Sequence, residues 1–168
     1  MKEQLTYLMA GHPQTSVQHL ELLAANAWPK VRMRVAENPN SPLHVLHLLS
    51  KDDDPDVRMS VANNSKASLV ILHRLANDQS ADVRFYLAED QNLPRVLLRR
   101  LSEDDNPFVA RRAQLTLVKA AQNKLFKNEK ASSSGAGRKT SGQPQLDVLS
   151  ILRALDLGHR NALTATYK

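Results

Sequence analysis

The chain has no cysteine. That removes disulfides, thiolate zinc sites, iron–sulfur ligation and cysteine nucleophiles together. Aromatic residues make up only 4% of it, so aliphatic side chains must fill any core, and platforms for stacking nucleic-acid bases are few. No apolar run approaches the length of about 18 residues that a membrane span needs. The segment 1–10 places Lys2 and Glu3 ahead of a short apolar stretch and lacks a signal-type h-region. These absences lead to the expectation of a cytoplasmic protein without membrane contact. Also missing are a nucleophile elbow, a glycine-rich phosphate loop, a zincin motif and carboxylate pairs set apart from the general pattern. The chain is therefore expected not to be an enzyme and to use no cofactor.

What is present is a period. Valine followed by arginine stands at Val31-Arg32, Val57-Arg58 and Val83-Arg84, and valine returns at Val109, every 26 residues without an insertion. Leu20, Leu46, Leu72 and Leu98 form a second column, Leu23, Leu49, Leu75 and Leu101 a third, and Ala10, Ala36, Ala62 and Ala88 a fourth. A fixed period of this length signals units that stack to bury apolar faces none could bury alone. With 42% apolar residues in 168, there is enough for such a core.

Within a unit, Asp54-Pro55 reads as an N-cap followed by proline at the first helical position, and Asn106-Pro107 repeats the signal. Val57 and Val61 then share one helix face, with Ala62 permitting close approach. The polar stretch Asn38-Pro39-Asn40-Ser41-Pro42 reads as a turn in which Ser41 caps a second helix, whose inward stripe is Leu43, Leu46 and Leu49. Two helices of about 11–12 residues with two connections exceed 26 residues. The first segment is therefore expected to be short and partly 3₁₀, and the second an α-helix of about ten residues.

The units Pro29-Lys-Val-Arg-Met-Arg-Val-Ala-Glu-Asn-Pro39 and Pro55-Asp-Val-Arg-Met-Ser-Val-Ala-Asn-Asn64, each followed by a leucine-bearing helix, resemble leucine-rich repeat variant units, which belong with the HEAT-like α-solenoids. The resemblance covers about residues 5–120. It implies an all-α, right-handed solenoid of alternating α and 3₁₀ helices and leaves function open. The cysteine-ligated iron–sulfur cluster known from that family has no counterpart in a chain without cysteine.

Leu5, Met9, Ala10, His12 and Pro13 fall in the columns of Val31, Val35, Ala36, Asn38 and Pro39, so the first residues read as a half-unit cap. After Val109 and Ala113 the helical pattern runs on toward Leu125 and is expected to seal the other end. The organisation expected is a repeat array over 1–127, a flexible linker over 128–143, which holds three of the five glycines, and a tail helix over 144–168. In that tail Leu149, Leu152 and Leu155 recur at helical spacing, an apolar face that needs a surface to dock on: this array, a second copy or a partner.

Charge is unevenly distributed. Residues 1–94 hold 9 basic and 11 acidic side chains, whereas residues 95–127 hold 8 and 3. Arg32, Arg58 and Arg84 could follow a phosphate backbone, but acidic turns at Asp52, Asp53, Asp54, Asp56, Asp78 and Asp82 repeat with them, which favours a structural ladder of charge-assisted pairs. The better binding candidates lie on the outward side of the second helices. There the columns read His47, His73, Arg99 and Leu48, Arg74, Arg100, and Arg95 replaces the leucines of Leu43 and Leu69. With Arg111 and Arg112 they outline a basic groove suited to acidic side chains or phosphates. A solvated face is the plain alternative. Of aromatics, only Tyr86 and Phe108 stand nearby. His44, His47 and His73 carry no metal expectation, because helices about 8–10 Å apart cannot let His47 and His73 share one ion at about 2.1 Å. The partner expected is a protein, with nucleic acid as the alternative and self-association through the tail as a further option.

Overall fold

The computed structural model describes the backbone of residues 2–133 and the side chains of residues 3–123. The described residues form nine α-helices and no strand: α1 (Lys2–Gly11), α2 (Val17–Ala24), α3 (Pro29–Glu37), α4 (Leu43–Leu49), α5 (Pro55–Ala62), α6 (Leu69–Leu75), α7 (Ala81–Glu89), α8 (Arg95–Leu101) and α9 (Pro107–Ser133). Odd-numbered helices from α1 to α9 pack successively on one another. Each even-numbered helix packs between the odd ones before and after it, and α4, α6 and α8 barely touch each other.

The division of each unit differs from expectation. The odd helices α3, α5 and α7 have 8–9 residues and the even helices α4, α6 and α8 have 7. All are α, and no 3₁₀ segment occurs among the described residues. Both helices are cut to about two turns instead of one being shortened. Odd helices keep their α form because valines four apart, such as Val57 and Val61, must both point into the stack, a spacing an α-turn satisfies and a 3₁₀ turn does not. Even helices end early because polar residues take their last carbonyls. Ser50 Oγ donates to the His47 carbonyl (2.8 Å), Ser102 Oγ to that of Arg99 (2.6 Å), and Asn77 Nδ2 to that of His73 (2.7 Å).

Capping follows the signals at some positions and departs from them at others. Asp54 accepts from the Asp56 N–H (2.8 Å), and Asn106 from the Phe108 N–H (2.9 Å), as the sequence suggests. Ser41 does not cap α4. Its hydroxyl turns back to the Val35 carbonyl, and Pro42 holds the N-cap position. In the neighbouring units that cap column holds Ser16 and Ser68, whose hydroxyls do accept from the following helix. Trp28 caps α3 by backbone alone and stays exposed.

The core is one continuous file. Val31, Val57, Val83 and Val109 are each at most 1% exposed, and Leu20, Leu46 and Leu98 are fully buried. Burying such side chains is worth about 1.5–3 kcal/mol each, more than the intrinsic stability of any two-turn helix. The expected stripe of α4 changes by one member. Val45, Leu46 and Leu49 point inward, while Leu43 is 52% exposed, because a two-turn helix can offer the core only about half its circumference. Helix α9 packs on both α7 and α8 and continues to Ser133, so the segment read as a linker from 128 begins helical. The tail residues Leu149, Leu152 and Leu155 lie outside the described residues.

Candidate interaction surface

Two ladders tie the units together and take up side chains that could otherwise be read as ligands. Arg32 donates through Nε and Nη2 to both Asp52 oxygens (2.7 and 2.8 Å). Arg58 does the same to Asp78 (2.7 and 2.8 Å), and Arg84 to Asp104 (2.7 and 3.0 Å). Each Nη1 then donates to carbonyls of the turn leading into its own helix, as Arg58 does to Asp52 and Asp53 (2.6 and 3.0 Å). Each carboxylate also accepts a backbone N–H two residues on, from Asp54, Ser80 and Asn106. The fork geometry of arginine lets one side chain hold two successive turns.

The hydrogen bond to Asp52 raises the Arg32 pKa above its ordinary value, and those to Asp78 and Asp104 do the same for Arg58 and Arg84. Burial would push the Asp52 carboxyl up, but the hydrogen bonds from Arg32 and the Asp54 N–H hold it below the usual carboxylate range. The hydrogen bond from Arg84 holds Asp104 low as well. The arginine column is thus structural. Its ends match: Thr6 stands where the first arginine would be, and Asn26, not aspartate, faces that position in the acidic column.

The second ladder was not read from the sequence. Asn38 Nδ2 donates to the carbonyls of Ala10 and His12 (2.8 and 2.9 Å), and Asn64 Nδ2 to those of Ala36 and Asn38 (2.7 and 3.1 Å). Thr116 Oγ1 donates to Ala88 in the same register (2.6 Å). The column does contain the signal, since Asn38 and Asn64 are one period apart. It is broken at Asp90, which has no amide to donate. There α5 and α7 pack less closely than the helices on either side, leaving a cleft of about 240 Å³ lined by Ala62, Asn63, Tyr86, Leu87, Glu89 and Asp90. Partial burial and the charges of Asp90, Glu89 and Glu37 raise the Tyr86 pKa.

Of the predicted binding residues, His47, His73, Arg74, Arg95, Arg99 and Arg100 are all exposed on α4, α6 and α8. None of the four arginines among them has an ion-pair partner within the described residues. Arg111 and Arg112 do not join them. They sit on α9, in the odd row, where Arg112 pairs with Glu89 and lies over the Phe85 ring (5.8 Å). Three periods earlier Arg34 lies over Tyr7 in the same way (5.3 Å). The expected groove thus loses Arg112 to a stacking arrangement that packs odd helices together, while Arg111 stays exposed on α9. Of the two aromatics expected nearby, Tyr86 belongs to the cleft above and Phe108 is exposed on α9.

The even helices carry more than charge. Beside the cations stand Leu69 at 57% exposure, Val70 at 70% and Val96 at 68%, next to the half-exposed Leu43 and Leu48. The sequences of α4, α6 and α8 contain no aspartate or glutamate at all. Acidic residues lie on the turns before the odd helices, where a polar cleft of about 470 Å³ is lined by Asp78, Glu103, Asp104 and Asp105 together with Arg84 and Arg100, so the α8 end of the cationic row borders this acidic turn. At the other end of the row, His44 Nε2 lies 2.8 Å from Glu21 Oε1, joining α2 to α4. Among the described residues no group of three or more metal-ligating side chains comes together, and no helix is long and apolar enough to cross a membrane. The chain matches no family model, no curated protein and no solved structure.

Proposed function

We propose that this chain is a non-enzymatic protein-binding scaffold, a right-handed solenoid of 26-residue units of the leucine-rich repeat variant kind, which binds through the outer face of its even helices. The observation that carries this reading is the run of large aliphatic side chains at Leu43, Leu69, Val70 and Val96, more than half exposed, on three helices whose own sequences hold no acidic residue. Scattered exposed apolar residues need no explanation, but a row recurring across three successive units is the kind of patch that marks an interaction surface. The helix and ladder repeats at 26-residue spacing support the solenoid reading.

Nucleic acid is the second reading, favoured by Arg95, Arg99 and Arg100 of α8, which have no ion-pair partner among the described residues. The apolar row beside these cations argues against it, because a phosphate-tracking groove would be cationic throughout. The test is a photocrosslinker placed at position 70 and, separately, at position 56 on the acidic edge. Adducts with one identified protein from position 70 only, lost when Leu69 and Val96 become aspartate, are expected. Fluorescence anisotropy with generic DNA and RNA across a salt series is run beside it. Tight, steeply salt-dependent binding that collapses in Arg95→Glu/Arg99→Glu/Arg100→Glu would replace the protein reading with the nucleic-acid one.

A further inference from the structure

We infer that the partner of the even-helix face is an acidic amphipathic α-helix of another protein, lying across α4, α6 and α8. This rests on the protein-binding reading above and specifies its chemistry. Charge complementarity carries it: α4, α6 and α8 contribute His47, His73, Arg74 and the three arginines of α8, and not one carboxylate. Interfaces place opposite charges around an apolar centre, so a partner with aspartates or glutamates flanking its apolar stripe satisfies this face, and a basic one leaves cations opposed.

Geometry selects the helix. Successive odd helices pack side by side, which sets an advance of about 8–10 Å per unit, the even helices seated between them stand at least that far apart, and seven residues of an α-helix rise about 10.5 Å. A helix crossing the even row therefore sets one apolar residue against each successive unit, at positions i, i+7 and i+14, meeting in turn Leu43, the Leu69–Val70 pair and Val96. The face grows more cationic from α4 to α8, with His47, His73 and Arg99 in one column and Leu48, Arg74 and Arg100 in the next. The partner helix accordingly carries its densest acidic charge at the end that lies over α8, which fixes its direction.

The experiment uses three fluorescein-labelled 22-residue helical peptides with leucine at every seventh position: one flanked by glutamates, one by lysines, one by glutamines. Anisotropy is read with the full chain and with Val70→Asp/Val96→Asp and Arg99→Glu/Arg100→Glu. All four positions are exposed, and circular dichroism verifies that the variants keep their helices. The glutamate peptide is expected to bind at least tenfold more tightly than the lysine peptide, to lose tenfold or more in either variant, and to weaken with salt. Equal binding of acidic and basic peptides, or no binding of the acidic one, overturns the inference. If position 70 still crosslinks to one protein while the acidic peptide fails, only the partner's chemistry is wrong. If both fail, the protein-binding reading falls with it. Displacement of the acidic peptide by Arg99→Glu/Arg100→Glu-sensitive nucleic acid at tenfold lower concentration also overturns it.

Discussion

At the residue scale the ladders make contrasting predictions. Asn64 points its amide at two carbonyls of the preceding unit from a site 7% exposed, so Asn64→Ala leaves buried acceptors unmet and should cost about 2 kcal/mol in urea denaturation. Asp90 occupies the same column without a donor, beside a cleft that includes Ala62. Asp90→Asn should restore the missing rung and raise stability by about 1 kcal/mol, a change in the unusual direction for a substitution in a packed protein. No gain, with Asn64→Ala costly as expected, would mean the α5–α7 seam is open for a reason other than Asp90. In the charged ladder the Arg58–Asp78 pair is the most buried, its side chains 5% and 6% exposed. Arg58→Ala strands Asp78 and should cost roughly 3 kcal/mol, and Arg58→Lys should recover little, since one ammonium cannot reach both carboxylate oxygens and the Asp52 and Asp53 carbonyls at once.

At the scale of the element, the turns preceding odd helices set the response to acid. The folded chain holds the Asp52 and Asp104 carboxyls below the usual carboxylate range, so unfolding raises both pKa values. Their contribution is therefore complete above about pH 4, the unfolded aspartate value, and is lost as pH falls through the depressed folded values. Urea midpoints should stay level from about pH 7 to pH 5 and fall below about pH 4. Asp104→Asn should lower the neutral plateau and flatten the acid fall, and an unchanged slope would remove Asp104 from the account. These turns also explain what the sequence made readable. Arg32, Arg58 and Arg84 repeat with acidic turns, and charge-assisted pairing followed from that spacing, with Asp104 the one partner not picked out. Helix lengths did not follow, because the column that ends α4 and α8 with Ser50 and Ser102 holds Ala76 in the unit between, where Asn77 one position on takes over the task. The outward columns of His47, His73, Arg74, Arg99 and Arg100 were legible from periodicity. The apolar row beside them was not: Leu43 was assigned inward, and only the two-turn length of the even helices turns it out.

At the scale of the whole array, the substantial contacts among the described residues run within units and between neighbouring ones, as α3 with α5, α5 with α7 and α7 with α9, and none of them joins distant units. Stability in such an array is close to a sum of unit and interface terms. Removing residues 55–80 takes out one full period and sets Asp54 directly before Ala81, so an N-cap again precedes an odd helix. Arg84 still reaches Asp104, and its Nη1 meets the carbonyls of Asp52 and Asp53 in place of those of Asp78 and Gln79. The shortened chain should keep its helix content per residue and unfold cooperatively, with a smaller denaturant slope in proportion to the surface it no longer buries. Removing residues 55–67, half a period, takes out α5 alone, so α6 follows α4 directly and both the odd-helix stack and the file of buried valines are interrupted between α3 and α7. That variant should lose cooperative unfolding. If both deletions unfold alike, the 26-residue unit is not the unit of folding, and the even-helix face cannot be the continuous surface on which a partner helix would lie.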